Sequence, residues 1–205
     1  MNRCLLVIPL KPFAQAKSRL AEALNPKERQ QLARALFRRS EQFFANVFSD
    51  MPRLVVTAER GIVKECSPGT RILHEAHAEG LNQAASRAKN FAKAQGFTQM
   101  LIASADIALW RRSEVLELLQ AGETRDVVIA RAYDGGTNAL LLRLPATGFA
   151  FAYGEQSANA HQRAAKQVGL SCRLLDLPML ARDLDLPTDL LLWQAKQQRT
   201  PKVQP

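Results

Sequence analysis

Short apolar runs of strand length, separated by amphipathic stretches, recur along this chain, and that alternation constrains its fold more than any other feature. Cys4–Ile8, Arg53–Thr57, Met100–Ser104 and Val127–Ala130 are continuous enough in apolar residues to be covered on both faces. Helical patterns fill the spaces between them. Asn25-Pro26-Lys27-Glu28 supplies a cap, a proline at the first helical position and a glutamate three residues after the cap; Leu32, Leu36, Phe43 and Val47 then keep helical spacing. Gly80-Leu81-Asn82 opens a second helix with Leu81, Ala84, Ala85, Ala88 and Phe91 on one face, and Gly96 is placed to end it. Shorter helices are predicted over 59–66, 113–119, 157–168 and 187–198, and further strands over 71–73, 139–142 and 172–175. The pattern predicts an α/β three-layer sandwich around a mostly parallel mixed sheet, with an antiparallel edge contributed by the pair around Gly135-Gly136.

At 205 residues the chain fits a single domain over 1–199, followed by a polar, proline-flanked tail at 200–205 that is expected to fray. The first apolar run is too short for a signal peptide or a spanning helix. Three widely spaced cysteines, Cys4, Cys66 and Cys172, match no zinc spacing and suit reduced thiols in a cytoplasm. The net charge of +9 admits two explanations, the footprint of nucleic acid or a field that draws in a small polyphosphate. Much of that charge lies on Lys27, Arg29, Arg34, Arg38 and Arg39, the expected solvated face of the first helix. Aromatic residues make up only 6%, so no platform for stacking single-stranded bases is evident.

Several groups could carry chemistry. Pro9 to Leu20 directly follows the first strand, and in open α/β sheets ligands sit outside the carboxyl ends of the strands, which places Lys11, Lys17 and Arg19 to hold an anion. The loop lacks a glycine fingerprint, so its positive charge must come from side chains; the competing reading is a solvated basic loop. Asp106 stands just past another strand, and Asp183 and Asp185, two apart, can face one side of an extended segment. Such oxygens suit Mg²⁺, which binds through one or two carboxylates plus substrate phosphates, although spacing alone favours Asp185 or Asp189 as a cap of the last helix. Gly135-Gly136-Thr137-Asn138 and Gly154 through Ser157 can turn N–H groups and hydroxyls toward an anion, or serve as a tight hairpin and a serine cap. His161 follows Ser157 in the same helix, where it either approaches that anion site or packs. His74 and His77 have no metal spacing, and no serine or cysteine has a base at motif distance.

Taken in order, Ile8-Pro9-Leu10-Lys11-Pro12 with Ala16 through Leu20, Gly80-Leu81-Asn82, Ser104-Ala105-Asp106, Gly135 through Leu140, Gly154 through Ser157 with His161, and Asp183-Leu184-Asp185 with Asp189-Leu190 resemble the 2-phospho-L-lactate guanylyltransferase family of deazaflavin coenzyme biosynthesis. The resemblance implies a nucleotidyltransferase fold. It implies a Mg²⁺-dependent reaction in which GTP and a phosphorylated three-carbon acid give a guanylylated diphosphate and pyrophosphate. The acid within the family is 2-phospho-L-lactate, phosphoenolpyruvate or 3-phospho-D-glycerate. It further implies that Lys11, Lys17 and Arg19 grip the GTP phosphates and that Asn82 contacts the nucleoside; Lys17, Arg19 and Asp106 would be catalytic. Asp106, Asp183 and Asp185 would hold the metal, and Thr137, Gly154 and Ser157 the acid. A cytoplasmic enzyme that passes its product to a downstream deazaflavin transferase follows, with room for a homodimer and no nucleic-acid or membrane partner. The chain departs from the family pattern at Ile107-Ala108, Glu155-Gln156 and Leu186. Two rivals remain at this point: a nucleotidyltransferase of the same fold with another acceptor such as a sugar phosphate, and a nucleic-acid-binding protein on this scaffold.

Overall fold

The computed structural model describes residues 3–184. Asp185, the predicted helix over 187–198 and the tail at 200–205 lie outside them. Seven strands form one sheet: β1 (Cys4–Leu10), β2 (Arg53–Thr57), β3 (Arg71–His74), β4 (Gln99–Ala103), β5 (Val127–Arg131), β6 (Thr137–Arg143) and β7 (Cys172–Leu175). The order is β3-β2-β1-β4-β6-β5-β7. Every pairing is parallel except the two made by β6. The antiparallel strand is therefore not at the edge, as the hairpin signal suggested, but inserted between β4 and β5. A Gly-Gly turn dictates that β5 and β6 pair, but it does not say which of them meets β4.

Helices α1 (Pro26–Val47), α2 (Leu81–Ala94), α3 (Arg112–Ala121) and α4 (Ser157–Gln167) cover the two faces. Successive strand residues point to opposite sides. Leu6, Ile8, Leu101 and Val128 pack with Ala33, Phe37, Phe44, Val115 and Leu118 of α1 and α3. Leu5, Val7, Met100 and Ile129 pack with Ala84, Ala85, Ala88 and Ala92 of α2 and Ala158 and Ala165 of α4. Alanine on the second face lets α2 and α4 lie close to the sheet, whereas the first face is filled by rings: Trp110 stacks on Phe43 at 5.6 Å and its indole N–H donates to Ser40 at 2.9 Å.

The predicted start of α1 forms as a capping box: Asn25 Oδ1 accepts from the N–H groups of Lys27 and Glu28, and Glu28 returns a carboxylate to the Asn25 N–H. Such a cap is worth about 1 kcal/mol. The segment predicted as a helix over 59–66 is a single 3-10 turn, Ile62–Glu65. Its Glu65 pairs with Arg34 at 2.9 Å and with Arg38, so part of the basic face of α1 is neutralised within the molecule.

Candidate active site

The parallel strands β1 to β4 end at one edge of the sheet, and because β6 runs the other way its first residue, Thr137, lies at that same edge. A cleft of about 310 Å³ opens there, lined by the loop after β1, the β3–α2 connection, Ser104 to Asp106 and the start of β6.

The basic loop is held from below and from the side. Thr57 donates its hydroxyl to the Leu10 carbonyl at 2.7 Å, and Glu59 accepts from the Phe13 N–H at 2.8 Å, so the end of β2 fixes where the loop leaves β1. Two 3-10 turns, Phe13–Gln15 and Ser18–Leu20, follow. Between them Lys17 adopts a left-handed backbone (φ 57°, ψ 36°), an uncommon conformation for a residue with a Cβ. That conformation turns its side chain inward. The side chain is 0% exposed, and Nζ lies 3.0 Å from the carboxylate of Asp106. Lys11 and Arg19 stay exposed on the cleft wall. Leu20 meets Leu32, Leu36, Ala108 and Leu184 in a small apolar cluster that staples the loop to the segment carrying Asp183. The departure at Ile107-Ala108 thus has a structural use here.

The segments that carry Asp106 and Asp183 are joined by backbone pairing: Ile107 bridges Asp183, and the Leu184 N–H donates to the Asp106 carbonyl at 3.2 Å. Two residues anchor that segment, Glu114, which the sequence did not single out, and Asn138, which it placed only in the Gly-Gly turn. Glu114 of α3 accepts from the N–H groups of Met179 and Leu180 at 2.8 to 3.1 Å, and the buried Asn138 donates to the Leu180 carbonyl at 2.8 Å. Neither carries a local signal, because their partners are 42 to 66 residues away. The described residues hold no group of three His, Cys, Asp or Glu side chains suited to a metal, and Asp185 lies outside them. Asp106 lines the cleft, and a carboxylate there suits Mg²⁺, whose other positions go to phosphate and water.

At the far end of the cleft, Ser157 proves not to be a cap. Gln156, left-handed at φ 51°, takes the cap position and Ser157 is the first residue of α4, buried, with its hydroxyl 3.2 Å from that of Thr137. His161, one turn further on and fully buried, accepts the Ala152 N–H on Nε2 at 2.9 Å. The proton of the neutral ring must then sit on Nδ1, which donates to the Thr137 hydroxyl oxygen at 3.0 Å. Burial pushes the His161 pKa down to about 4, so the ring is neutral at physiological pH. With its oxygen accepting from His161 and Ser157, Thr137 has its own O–H proton left to offer an anion. Asn82, at the start of α2, exchanges two hydrogen bonds with the Tyr153 backbone at 2.7 and 3.1 Å, which ties α2 to the strand of chain leading into Gly154. Gly154, at φ 146°, and Glu155 are exposed on the turn.

The model of the family described as "Guanylyl transferase CofC like" matches residues 4–195. The chain belongs to this family. Curated relatives include the 3-phospho-D-glycerate guanylyltransferase of Colwellia psychrerythraea, 37% identical over 91% of this chain and 89% of its own length. The phosphoenolpyruvate guanylyltransferase of a Roseiflexus species is 34% identical (93% and 84%). So is the 2-phospho-L-lactate guanylyltransferase of Methanothermobacter thermautotrophicus (93% and 83%). Among solved structures, a Desulfovibrio desulfuricans protein assigned as a nucleotide-diphospho-sugar transferase superposes with a TM-score of 0.77 at 16% identity, covering 98% of this chain and 90% of that one. A 4-diphosphocytidyl-2C-methyl-D-erythritol synthase gives 0.65 at 13%, covering 95% and 98%. The sandwich is therefore a nucleotidyltransferase fold.

Proposed function

We propose that this guanylyltransferase-family protein transfers GMP from GTP to the phosphate of a small phosphorylated three-carbon acid and releases pyrophosphate. The observation that carries the proposal is the cleft in which a buried cation, Lys17, paired with the partly exposed carboxylate of Asp106, lies across from a hydroxyl donor, Thr137, that a neutral histidine holds in place. The acid's phosphate oxygen is anionic near neutral pH, so it attacks the α-phosphorus of GTP without a general base. The new oxygen–phosphorus bond forms as the bond to the β-phosphate bridging oxygen breaks, and pyrophosphate departs with the electron pair. Lys17, with Lys11 and Arg19, neutralises the charge that develops on the leaving group; Thr137 and Ser157 orient the acid, with the turn at Gly154 closing over it. Asp106 and Asp183, with Asp185, would hold Mg²⁺, which would supply positive charge to the reacting phosphates.

The cytoplasm is the compartment that holds these substrates, and a deazaflavin transferase is the class of enzyme that would consume the product. The test is pyrophosphate release by the purified protein with GTP, Mg²⁺ and each acid in separate reactions, with ATP and a sugar phosphate as controls. Release with GTP and one acid is the expected result. Release only with the sugar phosphate, or with none, would overturn the proposal.

A further inference from the structure

Glu75 is a buried carboxylate that the reaction described above does not use. It follows β3 by one residue, and its N–H donates to the Thr57 carbonyl at 2.9 Å, which carries the sheet pairing to the rim of the cleft. There its side chain forms the wall together with Ala78, Gly80, Leu81 and Ala84. The residue is 9% exposed, and Oε1 is shut off from solvent with no hydrogen-bond partner among the described residues. Arg87, the cation in the vicinity, bonds Glu79 instead. A buried carboxylate oxygen without a donor is costly, and it is retained where something else supplies the donor.

The strand order says what that something is. From β3 to β6 the cleft runs past Glu75, then the basic loop after β1, then Asp106 after β4, then Thr137. Four strand spacings of about 4.8 Å make this roughly 19 Å, space for a nucleoside, its phosphates and a small acid laid end to end. With the phosphates at the basic loop and the acceptor at Thr137, the base falls at the β3 end, between the small apolar side chains and Glu75. Of the four common bases only guanine presents two adjacent donors, N1–H and N2–H, which match the two oxygens of a carboxylate. Adenine and cytosine put a ring-nitrogen acceptor where guanine has N1–H, and uracil flanks its single N–H with carbonyls.

We propose that Glu75 is the residue that selects guanine, its carboxylate turning into the cleft to accept N1–H and N2–H of GTP on its two oxygens. The assignment rests on the guanylyltransferase reading and adds the side chain that sets its nucleotide preference. It is tested by titrating GTP, ITP and ATP, each with Mg²⁺, into the wild-type protein and into Glu75→Gln. ITP keeps N1–H and lacks the 2-amino group. Wild-type protein should bind GTP about tenfold tighter than ITP and about a hundredfold or more tighter than ATP. Glu75→Gln should lose roughly 10- to 100-fold in GTP affinity, bring GTP and ITP close to parity and leave ATP unchanged. Equal binding of GTP and ITP by the wild type overturns the assignment even if the variant fails to fold, as does a folded variant that keeps its preference for GTP. A wild-type protein that binds none of the three overturns the guanylyltransferase reading itself.

Discussion

The two rims of the cleft are built on opposite principles. On the donor rim, long cationic side chains on a loop meet carboxylates, and the loop is held by a strained Lys17 backbone and an apolar staple through Leu20. On the acceptor rim there is no ion pair among the described residues; short hydroxyls are aimed by a buried, uncharged ring that the Ala152 N–H holds in turn. The difference matches the tasks. A triphosphate and its leaving pyrophosphate call for compensating charge that can shift as bonds break, whereas the acid calls for orientation without competing for that charge.

The comparison can be broken most forcefully at Asp106. Asp106→Asn should fold normally yet lose activity by a hundredfold or more, measured as pyrophosphate release, because it removes the proposed metal ligand and the partner of Lys17 together. Activity near the wild-type level would take Asp106 out of the metal site. Next in size is Lys17→Met, for which about a hundredfold loss in kcat/KM is expected, with weaker GTP binding and an unchanged KM for the acid. On the other rim, His161→Gln should raise the KM for the acid by about tenfold and leave GTP binding as it was, since the change disturbs Thr137 and the Ala152 backbone but not the basic loop.

The smallest effect is on stability. The His161 pKa is about 4 in the folded protein against an ordinary 6.5, so the unfolded chain takes up the proton first as pH falls. Stability from this group is complete above pH 6.5 and is lost between there and about pH 4, by roughly 3 kcal/mol at most. Denaturant melts across that range should show the wild type losing this advantage over His161→Gln. Parallel pH dependence in the two proteins would mean that His161 is not held neutral.

The donor rim is the more legible of the two in the sequence, and the reason is physical. Charge on a loop directly after a buried strand is a local signal, so Lys11, Lys17, Arg19 and Asp106 could be singled out from position. Strand and helix content was legible too, because apolar period and caps act over a few residues; α1 begins at the predicted cap and β7 spans the predicted 172–175. The acceptor rim depends on contacts between residues far apart in the chain. Nothing near His161 announces that Ala152 will fix its tautomer, and nothing near Ser157 announces that Gln156 will take the cap position and release it. Glu75 and Glu114 read as ordinary polar residues until tertiary packing closes over them. The insertion of β6 between β4 and β5 belongs to the same class, since strand order is a property of the whole sheet.

The most direct test of the division between rims is a pair of KM measurements. Arg19→Ala and Thr137→Val are assayed for pyrophosphate release with GTP varied at saturating acid and with the acid varied at saturating GTP. Arg19→Ala should raise the KM for GTP and spare that for the acid, and Thr137→Val should do the reverse. If both variants move the same KM, the two rims do not hold different substrates and the account is wrong.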